Sequence, residues 1–105
     1  MSKTVEEKIR ILEDVESIRK LKASYCYWAA AGIAGDASQM DALIAQFTDD
    51  APWADFGPFG VYKGKEAVGA FFREVVVGTL SYSAHMVSNP IIEVDENRAT
   101  GDWYV

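Results

Sequence analysis

One cysteine, one histidine and three prolines in 105 residues leave few groups that staple, ligate or break a chain. Cys26 alone closes no intrachain disulfide, which suits a reducing cytoplasm. His85 and Cys26 stand far apart, with no paired carboxylates beside them, so the three or four ligands a metal needs are missing and no metal is expected. The glycines at 57, 60, 64 and 69 match neither the dinucleotide nor the P-loop pattern, and no nucleotide cofactor is expected. Ten basic residues form no run and face sixteen acidic ones, giving a net charge of −6; this argues against a nucleic-acid partner, whose binding draws on clustered Lys and Arg. No apolar run reaches the roughly 20 residues that span a bilayer, so no membrane segment is expected. The first 20 residues are charged throughout and lack the apolar segment of a secretory signal, which points to the cytoplasm.

What remains is half hydrophobic and 12% aromatic. A chain of this length and composition reads as a single globular domain over residues 1–105, large enough for one core and one small pocket. Thr4 and Glu7 form a capping box, and Val5, Ile9, Leu12, Val15, Ile18, Leu21, Tyr25 and Trp28 recur at helical spacing behind it. The spacing predicts one long helix that loosens at Gly32 and stops by Gly35. Ser38 with Asp41 predicts the start of a second, short helix carrying Met40, Leu43, Ile44 and Phe47 inward. Residues 51–63, with Trp53, Phe56, Phe59 and Tyr62, read as a two-stranded ribbon around Gly57 and Pro58. A third helix follows Gly64, with Ala67, Val68, Phe71, Phe72, Val75 and Val76 inward and Gly78 as its cap.

Beyond Gly78 the period becomes alternating, and residues 81–94 read as one long strand. Tyr82, Ala84, Met86, Ile92 and Val94 share one face; Ser83, His85, Val87, Asn89, Ile91 and Glu93 share the other. Pro90 removes a ladder donor, predicting a bulge or bend at which the faces exchange. A two-residue turn at Glu96-Asn97 leads into a last strand and sets Asp102 opposite Ile91. Trp103, Tyr104 and Val105 leave an apolar strand with an unpaired edge. Two readings stand: a shortened form of a larger domain, or a sheet completed by a second copy in a homodimer.

His85 is the one side chain that carries protons near neutral pH without a large pKa shift, so it is the candidate base, against the plain reading of a core or surface histidine. The acids to orient it are Asp36, Asp55 and Asp102. Opposite Ile91, Asp102 lies six residues from His85 along the strand, about 20 Å, too far for direct contact. Tyr25 and Trp28 point toward the core, where a tyrosine hydroxyl finds a partner. The ribbon aromatics read equally as core or as the mouth of an apolar pocket. Cys26, inside a helix, reads as a small inert hydrophobe.

Ile18-Arg-Lys-Leu21 with Tyr25-Cys-Tyr-Trp28, Phe47-Thr-Asp-Asp-Ala-Pro-Trp53, Val61-Tyr-Lys-Gly-Lys-Glu66, Phe71-Phe72, His85-Met-Val-Ser-Asn89 and Ala99-Thr-Gly-Asp-Trp-Tyr104 together resemble the SnoaL-like branch of the nuclear transport factor 2-like superfamily. The resemblance runs from about residue 9 to the end. It implies an α+β fold, a cone-shaped barrel of three helices on a curved antiparallel sheet around an apolar pocket, here short of the C-terminal strands. It also implies dehydratase, polyketide cyclase or dehydrochlorinase chemistry without cofactor, on a small apolar, cyclic or aromatic ligand. By the same resemblance His85 is the base, Tyr25 assists, and an acid stands near the end of the first helix. Five residues beyond Tyr25, at that acid's place, this chain has Ala30, and Asp36 is the next acid. Trp28, Phe47, Trp53, Phe56, Phe72, Met86 and Asn89 would line the pocket. The expectation is a cofactor-independent lyase or isomerase; the alternative is a non-catalytic ligand-binding or assembly domain.

Overall fold

The computed structural model describes residues 2–53 and 60–105, with Trp53 described in its main chain. The expected ribbon tip, with Asp55, Phe56, Gly57, Pro58 and Phe59, lies outside the described residues. The chain forms two compact units: one takes the residues up to Cys26 together with His85–Val105, the other Tyr27–Ala84.

Helix α1 (Val5–Ile33) opens where the capping box placed it, the Glu7 amide donating to Thr4 Oγ1 at 3.1 Å. It closes as Gly35 predicts: Gly35, at φ 117°, donates to the Gly32 carbonyl and Asp36 to the Ala31 carbonyl, a Schellman ending that satisfies the last free carbonyls. The expected inward stripe needs correction. Val5, Ile9, Leu12 and Leu21 are exposed, while Ile11, Val15, Ile18, Lys22 and Tyr25 are half-buried and Cys26, Ala29 and Ile33 buried. The expected row holds at Val15, Ile18, Tyr25 and Trp28 and fails at Val5, Ile9, Leu12 and Leu21, and Lys22 takes the inward place expected of Leu21.

In the first unit, β3 (Ser88–Asp95) pairs antiparallel with β4 (Arg98–Tyr104), Ile91 opposite Asp102 as the two-residue turn requires. That turn holds Glu96 at φ 54°. The long strand expected over residues 81–94 is shorter: residues 82–87 carry no ladder, and pairing starts at Ser88. Between Ser88 and Ile91 the register slips, with Asn89 at φ 54° just before Pro90. The faces exchange there. Ser83, His85 and Val87 are half-buried before the bulge, Ile92 and Val94 after it.

The second unit holds most of the buried core among the described residues. Helix α2 (Ala37–Ile44) buries Met40, Leu43 and Ile44. Its cap is Asp36 rather than Ser38: the carboxylate accepts from the Ser38 amide at 3.1 Å and the Ser38 hydroxyl at 2.6 Å. Strands β1 (Pro52–Trp53) and β2 (Tyr62–Lys63) pair antiparallel, forming the base of the expected ribbon. The third helical run begins as α3 (Lys65–Ala70), widens into a π-helical segment (Phe71–Val76) and ends in one α turn, α4 (Val77–Thr79). It passes through Gly78, which therefore is not its cap; Leu80, extended at φ −114°, ends it. The first two residues of the π-helical segment, Phe71 and Phe72, are buried in the core, against Tyr62 at 4.6 Å and Phe47 at 6.2 Å between ring centres. The described residues are thus α+β, three helical runs with antiparallel strands.

Gly32 does not loosen α1; it lets α2 come close. A Cβ there would stand 2.8 Å from Met40 Cε and 3.0 Å from Met40 Cβ. Gly32→Ala is expected to lower stability by about 1–3 kcal/mol, the usual cost of overpacking, read as a lower urea midpoint. Adding Met40→Ala should then cost less than it does in the parent chain, because the two changes share one contact.

Candidate functional site

Four side chains of the first unit converge where α1 meets the segment that leads into β3 and the end of β4. Tyr25 and His85 meet edge to face, ring centres 6.2 Å apart and planes at 88°. Lys22, one turn before Tyr25, holds Nζ 4.7 Å from the Tyr25 ring centre and 5.5 Å from that of Trp103. Trp103 lies over Gly101, two residues back on the same strand face, where any Cβ would collide with its six-membered ring.

Burial and charge act on these groups together. His85 is held below the usual imidazole pKa of 6.5, first by burial and second by the Lys22 charge, so it stays neutral at neutral pH. This is opposite to the direction a carboxylate neighbour gives. The Tyr25 hydroxyl is pushed up to about 12, chiefly by burial, with Cys26 adding to it, so it remains a protonated donor. A neutral imidazole accepts a proton, a neutral phenol donates a hydrogen bond, and an ammonium stabilises negative charge: the arrangement has the parts of proton transfer.

The other expected site residues fall as follows. Asp36 is exposed and serves as the α2 cap, its pKa lowered first by the Ser38 hydroxyl. Phe47 and Phe72 pack in the second unit, where Trp28 is half-buried. Trp53 stands on β1 opposite Tyr62, and Phe56 lies outside the described residues. Met86, expected inward, is 76% exposed, and Asn89 is exposed at the bulge, because the face exchange turns the half-buried side to His85 and Val87. Ala30 is half-buried on α1. The second unit also has a cleft of about 270 Å³ lined by Gly32, Met40, Val77 and the Asp41–Arg73 ion pair, whose atoms approach to 2.9 Å in the open. Among the described residues no cluster of three His, Cys, Asp or Glu side chains could hold a metal, and no helix is long and apolar enough to cross a membrane.

The model of a SnoaL-like domain matches residues 10–105. The chain belongs to the SnoaL-like domain family. No curated protein and no solved structure matches it. Sequence reasoning on this SnoaL-like chain missed Lys22, because Leu21 was the apolar choice for the stripe; the signal available was its spacing of three from Tyr25.

Two titrations check the electrostatics. In alkaline absorption titration one of the five tyrosines should ionise last, near 12, and Tyr25→Phe should remove that step. In proton NMR, His85 should titrate below 6.5. Below 6.5 the unfolded chain binds more protons than the folded one, so the stability held by neutral His85 is present above 6.5 and lost as pH falls through its folded value. His85→Gln should flatten that acid-side loss.

Proposed function

We propose that this SnoaL-like domain binds a small apolar, cyclic or aromatic compound and acts on it as a cofactor-independent lyase or isomerase. His85 removes a proton from carbon beside a carbonyl or leaving group, and Tyr25 donates a hydrogen bond to the oxygen that gains charge. The observation that carries this reading is the edge-to-face pair of Tyr25 and His85, a hydrogen-bond donor and a proton acceptor for one proton-transfer centre. Family membership supports the pocket; the pair supports the chemistry.

A second reading, a non-catalytic ligand-binding or assembly domain, is favoured by Ala30 and by the downward pKa of His85. An imidazole without a carboxylate to favour its protonated form is a weaker base, and losing such a partner lowers comparable enzymes by about four powers of ten.

Exchange of the α-protons of beta-tetralone in deuterium oxide, followed by proton NMR, separates the two. Catalysed exchange above buffer is expected, falling about a hundredfold or more in His85→Gln and less in Tyr25→Phe. Exchange equal in parent and His85→Gln chains, alongside retained ligand binding, sinks the enzyme and leaves the binding domain.

A further inference from the structure

Lys22 is half-buried as a residue on the inward face of α1, with its ammonium over two aromatic rings, and among the described residues no carboxylate lies within ion-pair distance of it. The rings of Tyr25 and Trp103 offer it only their quadrupoles, a weaker partner than a carboxylate at the same depth. Tyr25 in turn touches His85, so the cation stands one ring away from the candidate base. The described partners of the Lys22 charge are therefore aromatic faces, and the negative charge that would complete it is left to a ligand.

We propose that Lys22 makes this site selective for a planar apolar ligand carrying a delocalised oxyanion, a ring carboxylate or an acidic enol ionised as the enolate, with Lys22 pairing to the oxygen and Tyr25 and Trp103 flanking the ring. This rests on the pocket reading above and narrows its ligand class. The influence of the Lys22 charge on His85 agrees with this placement, since a cation close enough to disfavour protonated imidazole also favours an anion beside it.

Naphthoate and naphthamide, of nearly equal shape but different charge, provide the test, with binding followed by tryptophan fluorescence or calorimetry. The parent chain is expected to bind naphthoate about tenfold or more tightly than naphthamide, a preference of roughly 1.4 kcal/mol. Lys22→Met should bring the two together while keeping naphthamide affinity, because the methionine stem retains the apolar contact, and Lys22→Arg should restore the preference. A merely structural lysine would weaken both ligands alike. Equal binding of the two ligands by the parent chain overturns the anion selectivity and leaves the pocket standing. No binding of either overturns both. A preference that survives Lys22→Met, in a variant with the parent's circular dichroism spectrum and urea midpoint, assigns the anion to another residue and overturns the role of Lys22.

Discussion

The second unit rests on how closely α2 can approach α1, and that distance is set by a missing side chain at Gly32. With only hydrogen on that face of α1, Met40 lies against the helix backbone, and Leu43 and Ile44 follow it into the core with Val68, Phe71 and Phe72. The Schellman ending at Gly35 lets the chain turn within a few residues, and Asp36 then serves both ends of the turn, its amide closing α1 and its carboxylate capping α2. The widened third helical run buries the consecutive Phe71 and Phe72 in the same core.

In the first unit the constraint is different, because a hairpin of two strands covers only a narrow stripe of a long helix. Ile92, Val94 and Trp103 are its half-buried residues, while Ile91, Tyr104 and Val105 remain open. Partial cover produces an environment dry enough to raise Tyr25 and lower His85, yet open enough for a lysine to remain there. Trp103 reaches that environment because Gly101 leaves room beneath its ring. The placing of Trp103 therefore depends on a small residue, as the packing of α2 does at Gly32.

Membership of the SnoaL-like family agrees with the α+β make-up of the chain, but it does not by itself assign a reaction, since one fold carries many sites. The residues that decide are local. Ala30 brings no charge to α1, and Asp36 is engaged in capping, so the charged group described beside His85 is Lys22. Beside that cation, and partly buried, His85 favours the neutral imidazole.

The residues most legible from sequence are those governed by rules acting over a few positions. Thr4 opened α1, Gly35 closed it, Pro90 marked the bulge, and the two-residue turn at Glu96-Asn97 set Asp102 opposite Ile91. His85 and Tyr25 were identified by residue chemistry and by resemblance, and the structure brings their rings together. The inward row of α1 was legible at Val15, Ile18, Tyr25 and Trp28 but not between them, because a 3.6-residue period leaves adjacent rows nearly equivalent, and only the surface that covers the helix chooses between Leu21 and Lys22. The choice of Asp36 over Ser38 as the α2 cap was not legible either, because both side chains are good caps and lie two residues apart. Sequence alone determined the opening and close of α1 and the register of the β3–β4 hairpin, since hydrogen bonding within a turn decides those. Tertiary structure alone decided that a lysine, not a leucine, faces Tyr25 and Trp103, since burial is a property of surfaces brought together from distant parts of the chain.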